Sequence, residues 1–228
     1  MSKAELVALL EERQRRQSGR KFWSYYPDEG PLRRGLYPKH MKAFEAGLFH
    51  KERCVMAGNR VGKSEGIGAF EVACHLTGLY PDWWPGHRFI RPINALCGGD
   101  TNSTTRDIIV RKLCGPAEDR GTGMIPRECL GTMTGQQGIP GSVDIARVRH
   151  VTGGWSSVQF RSYDQGRVAW QGTEREFVWM DEEPPEDIYT EAVMRTMTTQ
   201  GLVLCTFTPL SGVSNVVLSF LPELAPAV

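Results

Sequence analysis

Eight consecutive residues, Ala57-Gly58-Asn59-Arg60-Val61-Gly62-Lys63-Ser64, combine glycines, a lysine and a hydroxyl at a spacing that suits a polyphosphate. Gly58 and Gly62 lack a Cβ, so the backbone around them can curl and turn its N–H groups toward an anion. A helix starting near Ser64 points its positive end at the same place. In that arrangement Lys63 reaches the β- and γ-phosphates and the Ser64 hydroxyl ligates Mg2+. A Gly-Lys-Ser tripeptide also occurs by chance in surface turns. Here it stands between an apolar run at 53–57 and a helical pattern at 64–77, the strand-loop-helix context that the chemistry requires.

The second group of chemical residues follows the apolar run Phe177-Val178-Trp179-Met180. Asp181-Glu182-Glu183 then precede Pro184-Pro185. An aspartate ending a strand opposite a phosphate loop holds the magnesium, and the adjacent Glu182 can orient and deprotonate an attacking water. A different reading suits the later acids: Glu183, Glu186 and Asp187 serve as anions at the start of the next helix. A glutamate directly after the aspartate favours hydrolysis put to mechanical use over transfer to a small acceptor. Together the two groups predict an Mg2+-dependent nucleoside triphosphatase of the P-loop type.

Elements must bring these groups together, and the pattern supplies them. Strands are predicted at 53–57, 93–97, 176–180 and 202–207, alternating with helices at 64–77, 101–113 and 187–197. Segments 147–152 and 156–160 flank Gly153-Gly154 and read as a hairpin. The expected fold class is α/β, an ASCE-type P-loop NTPase with a mostly parallel sheet flanked by helices and a β-hairpin addition. Residues 115–141, rich in Gly, Pro and Thr, read as a long surface excursion. Three parts are expected: 1–50 as an N-terminal helical, adenine-side segment, 51–215 as the ATPase core, and 216–228 as an exit linker. Within the first part, helices are predicted at 2–17 and around 43–46.

A length of 228 residues suits one large α/β domain, and the net charge of +1 excludes a polycation. Nucleic acid, if bound, must meet a local patch. No run approaches the roughly 18 apolar residues of a membrane span, and the N-terminus lacks a signal-peptide core, so a cytoplasmic protein is expected. Six cysteines without a CxxC pair read as reduced thiols, with Cys54, Cys97 and Cys205 in strands.

Arg60 inside the phosphate loop, the strand end Met180-Asp181-Glu182-Glu183 and Thr206-Phe207-Thr208-Pro209 resemble the large terminase of tailed bacteriophages. The stretch 155–172 is similar in style, and the resemblance covers nearly the whole chain as the N-terminal ATPase half of that family. It implies a motor in the host cell cytoplasm that hydrolyses ATP to drive double-stranded DNA into a procapsid. It also implies a homo-oligomeric ring on the portal protein, help from a small terminase subunit, and a nuclease half beyond Val228.

Residue by residue, the resemblance gives Lys63 and Ser64 the roles already derived, makes Asp181 the magnesium ligand and makes Glu182 catalytic. Gly58, Asn59, Arg60, Val61, Gly62, Lys63, Ser64 and Glu65 form the candidate nucleotide-binding loop. Arg60 matches a basic residue acting as a switch or finger, and its alternative is a solvated loop arginine. Thr206 and Thr208 match a coupling motif that senses the γ-phosphate, against ordinary strand filling for Thr206. Tyr37-Pro38-Lys39-His40 lies where such ATPases contact adenine, with His40 in place of the usual glutamine. Ala57 departs from the first loop glycine.

Other signals stay open. Trp83-Trp84 is either loop packing or a partner anchor. Arg13, Arg15, Arg16, Arg20 and Lys21, like Arg147 and Arg149, are either solvated or meet DNA phosphates or a neighbouring subunit. Two other functions compete: a helicase-like translocase, against which no second helicase motif set follows Pro209, and a low-turnover nucleotide-binding switch, against which Glu182 argues.

Overall fold

The computed structural model describes residues 5–7, 21–135, 141–210 and 212–224. Its seven strands are β1 Glu52–Met56, β2 Asn94–Gly99, β3 Leu130–Gly135, β4 Val143–Arg149, β5 Trp155–Ser162, β6 Phe177–Asp181 and β7 Leu202–Phe207. They form one mixed sheet in the order β1-β7-β6-β2-β5-β4-β3. The first five in that order run parallel, and β4 and β3 extend the sheet antiparallel beyond β5. The expected hairpin is the β4–β5 pair, turned by Gly153 and Gly154, both at positive φ.

Helix α1 spans Pro38–Glu45. Helix α2 begins as a wide π-type segment, Lys63–Ala69, and continues as Phe70–Thr77. Helix α3 is likewise composite, Asn102–Thr104, Thr105–Val110 and Arg111–Cys114. Helices α4, Glu186–Met197, and α5, Asn215–Phe220, follow β6 and β7.

Every residue of β6 and β7 is buried, which is why both read as continuous apolar runs. Phe177, Trp179, Leu202 and Leu204 pack into the core shared with α2 and α3, while Val178, Met180, Val203, Cys205 and Phe207 pack with α4 and α5. Each such side chain contributes about 1.5–3 kcal/mol of apolar burial. Helix α2 lies close on the sheet because Gly68 leaves room: a Cβ there would overlap the Trp179 indole. Gly78, at φ 70°, ends the helix with its N–H on the Cys74 carbonyl.

A buried polar network ties β1 to α2. Arg53 donates to Glu71 through two nitrogens at 3.2 and 2.6 Å and to the Ala43 carbonyl at 2.8 Å. His75 Nε2 lies 3.1 Å from Glu71, and its Nδ1 lies 2.8 Å from the Tyr80 hydroxyl. Burial alone would raise the Glu71 pKa, but the charge of Arg53 and the hydrogen bond from His75 hold it below the usual carboxylate range. Glu71→Gln leaves the Arg53 charge buried without its counter-ion, a change that costs about 3–5 kcal/mol. A depressed carboxyl stabilises above its unfolded pKa and loses that contribution as pH falls through its folded pKa. Thermal denaturation of Glu71→Gln is therefore expected at a lower temperature near neutrality, with a shallower loss on acidification below about pH 4.5 than wild type. Equal melting temperatures at pH 7 would contradict this account.

Several expectations are corrected or decided by the fold. Residues 115–141 are no mere excursion: they contain β3, and Met124 and Ile125 are fully buried. The run Leu130-Gly131-Thr132-Met133-Thr134-Gly135, broken by glycines and short of large apolar side chains, hid the strand. The exit segment does not leave at 216, because Val216 and Val217 of α5 are buried against the core under α4. Trp83 and Trp84 pack on Phe70 and Phe44, the loop-packing alternative. The helix around 43–46 starts earlier, at Pro38, with proline in its favoured first position. Of the helix expected at 2–17, residues 5–7 are helical and the rest lies outside the described residues, as do Arg13, Arg15, Arg16 and Arg20.

Candidate active site

The parallel register sets β1, β7 and β6 flush at their carboxyl ends, with Met56 opposite Phe207 and Asp181 opposite Thr206. The loop after β1 and the acids after β6 therefore emerge side by side, at the edge where open parallel sheets place their ligands. Gly58, Asn59, Arg60 and Val61 are exposed there, with Arg60 at φ 63° and Gly62 at φ 87°. The Gly62 carbonyl accepts from the N–H groups of Gly66 (2.8 Å) and Ile67 (3.1 Å), which opens the first turn of α2 to its wide form.

Lys63 is 9% exposed and curls back under the loop. Its ammonium donates to the carbonyls of Ala57 and Gly58, both at 2.7 Å, and to the Thr208 hydroxyl at 2.9 Å. Thr208 Oγ1 lies 2.8 Å from the Ala57 carbonyl and 3.1 Å from Asn59 Oδ1. The residue after β7 thus touches both ends of the loop.

Ser64 Oγ donates to Asp181 Oδ1 at 2.8 Å, and Thr206 Oγ1 donates to the same oxygen at 2.7 Å. Behind them Trp179 Nε1 donates to Thr206 Oγ1 at 2.8 Å. Asp181 is 3% exposed, and burial pushes its pKa up to about 6 against the pull of the Thr206 and Ser64 hydrogen bonds. Thr206 is fully buried and faces Asp181, so it positions the carboxylate from behind.

Glu182 is exposed and adopts φ 70°, a left-handed conformation that costs a non-glycine residue about 1–2 kcal/mol. Three contacts hold it. Its N–H donates to the Thr206 carbonyl at 3.0 Å, and the buried Tyr163 hydroxyl sits 3.2 and 3.0 Å from the carbonyls of Asp181 and Glu182. The chain turns sharply at Glu182 and leaves this residue exposed at the carboxyl end of β6. Tyr163 had no recognisable signal in the sequence.

On the other flank of the loop lies a cavity of about 290 Å³, with Tyr25, Tyr37, His40, Arg60 and Glu65 in its lining. His40 Nε2 donates to the Val61 carbonyl at 3.0 Å and its Nδ1 is 2.7 Å from the Tyr26 hydroxyl, whose oxygen lies 2.8 Å from the Gly66 carbonyl. Glu65 pairs with Lys21 and, at 3.0 Å, with Lys112. Burial opposes its ionisation, yet the two ammonium groups hold its pKa down at about 2. Tyr25, Tyr26 and Leu32, ahead of helix α1, supply much of this wall.

The chemistry of these groups would suit a polyphosphate. A loop with a lysine lies beside an oxygen pair, the half-buried Ser64 and the buried Asp181, of the hard donor type that suits Mg2+. Among the described residues Asp181 has no ion-pair partner, so a divalent cation would compensate its charge.

Comparisons with known proteins identify similar chains. A family model described as the terminase large subunit, T4-like-virus type, N-terminal, matches residues 54–227. The large terminase subunit of Salmonella phage P22 is 38% identical across 95% of this chain and 46% of its own length. The chain thus spans about half of the curated relative it matches. By structure, the large terminase of a thermophilic bacteriophage superposes with a TM-score of 0.59 at 12% identity over 82% of this chain and 42% of that one. A second structure of that terminase, in complex with ADP, gives a TM-score of 0.58 at 13% identity over the same shares.

Proposed function

The chain belongs to the terminase large-subunit family, and from that premise we propose that it is an ASCE-type P-loop ATPase domain that powers the packaging of double-stranded DNA. One observation carries the reading: the hydroxyl that follows Lys63 and the carboxylate ending β6 share a hydrogen bond of 2.8 Å. Residues 117 positions apart meet across the carboxyl end of a sheet in which β7 lies between β1 and β6. One strand interposed between the loop strand and the acid strand is the order expected of the ASCE type.

Ser64 and Asp181 are the residues that would hold Mg2+, which when bound neutralises phosphate charge and orients the β- and γ-oxygens. Lys63 turns its ammonium from the loop carbonyls toward the phosphates. Glu182 takes the proton of the attacking water, and its exposed, backbone-fixed position suits that work. Arg60 offsets charge developing at the γ-phosphate, from its own chain or a neighbouring one. Thr208, bonded to Lys63 and to the loop, carries the state of the phosphate site into β7, whose Thr206 holds Asp181.

The fold neighbour from the thermophilic phage was solved with ADP, which supports a nucleotide in the corresponding place here. The duplex DNA track, the portal protein, the small terminase subunit, the homo-oligomeric ring and the host cytoplasm belong to this proposal through the family. No helix among the described residues is long and apolar enough to cross a membrane. The test is release of inorganic phosphate from ATP by the purified chain. Hydrolysis that requires Mg2+ and stops with EDTA is expected. Hydrolysis that persists in EDTA would remove the metal roles of Ser64 and Asp181, and nucleotide binding without hydrolysis, at any protein concentration, would favour the switch reading.

A further inference from the structure

The cavity beside the loop is where a nucleobase would lie, and its polar groups are largely occupied by the fold itself. His40, at the position expected to contact adenine, spends both ring nitrogens on protein partners, Val61 and Tyr26. The ring also fills a structural place: its Cε1 lies 3.1 Å from where a Gly62 Cβ would stand and 3.3 Å from that of Gly66. His40 is thus a wedge under the loop. The Val61 carbonyl is taken by His40, and the Glu65 carboxylate is shared between Lys21 and Lys112. Among the described side chains of the lining, what remains is the faces of Tyr25 and Tyr37, both half-buried, and two rotatable groups, the Tyr37 hydroxyl and the Arg60 guanidinium.

We infer that this subsite holds a purine by its ring faces without reading its edge, so that adenine and guanine nucleotides are accepted nearly alike. The inference rests on the nucleotide reading proposed above. Selection against a wrong base reaches roughly 10⁴-fold only where a site commits fixed donors and acceptors to the right one. Aromatic faces do not supply that, because stacking is tolerant of base identity. A phenolic hydroxyl donates or accepts as required. The Arg60 guanidinium sits on an exposed loop: it reaches N7 of either purine, and its second donor to guanine O6 adds about 1 kcal/mol there, inside a 10-fold margin. Removal of Tyr37 should therefore weaken all purine nucleotides together.

Calorimetric titration of the chain in Mg2+ with ADP, GDP and pyrophosphate tests this without turnover. ADP and GDP are expected to bind within about 10-fold of each other and each at least about 10-fold tighter than pyrophosphate. Tyr37→Ala should weaken both nucleotides by about 10-fold and leave pyrophosphate unchanged, while Tyr37→Phe should leave their ratio as in wild type. A preference for ADP above about 100-fold, or a changed ratio in Tyr37→Phe, would overturn the inference by exposing a group that reads the edge. Nucleotides binding no tighter than pyrophosphate would remove the base subsite while sparing the phosphate loop. Failure of all three ligands would instead reject the nucleotide site itself.

Discussion

Glu182→Gln is expected to lower the turnover of ATP by about 10³-fold while leaving the affinity for Mg2+-ATP within a few-fold of wild type. The amide keeps the size of the side chain and lacks the basicity to accept the water's proton. The backbone at φ 70° is held by the Thr206 carbonyl and the Tyr163 hydroxyl, neither of which involves the Glu182 side chain. The substitution therefore removes a proton acceptor and leaves the shape. Single-turnover quench-flow gives the chemical step, and filter binding of ATP gives the affinity. A variant that hydrolyses ATP within 10-fold of wild type would strip Glu182 of the base role and turn attention to Glu183 or to a residue from a neighbouring subunit.

Lys63→Ala is expected to act on both binding and chemistry, lowering kcat/KM by about 10³-fold or more, because a charged donor is lost where phosphate charge is greatest. The structure adds a second expectation. The ammonium joins Ala57, Gly58 and Thr208, so its removal also frees the loop from the end of β7. Hydrogen bonds to a charged group contribute about 1.5–3 kcal/mol, so a fall in melting temperature of several degrees should accompany the lost activity. Calorimetry and steady-state kinetics on the same preparation separate the two effects. Unchanged ATP affinity would place the phosphates elsewhere.

That Ser64 and Asp181 belong to one candidate site was legible because each lies in a local pattern whose chemistry dictates residue type, and the structure brings the two within 2.8 Å. The strand-helix alternation was legible for the same reason, since β6 and β7 are apolar along nearly their whole length. What escaped notice depends on contacts between distant segments. Nothing around Tyr163 announces that its hydroxyl reaches the backbone of Asp181 and Glu182, 18 and 19 residues away. Thr206 looked as much like strand filler as like a site residue, and only the β6–β7 register shows that it faces Asp181. The Arg53–Glu71–His75 network is a set of ordinary charges until three elements close over it. Strand β3 lacks the β-branched and aromatic alternation by which strands are recognised, and its place is given by pairing with β4.

The sheet order also governs how the molecule comes into being. Strand β7 is the last of the seven in sequence, yet it sits between β1 and β6 and hydrogen-bonds to both. During synthesis, a chain not yet extended past residue 201 carries the phosphate loop and the acid pair on strands with no partner between them. Each offers an unsatisfied edge to whatever is nearby. Closure waits for a long-range insertion, the slow kind of step in folding. The Ser64–Asp181 contact therefore comes into existence in the same event that seals the sheet, and a nascent chain short of β7 lacks the assembled candidate site.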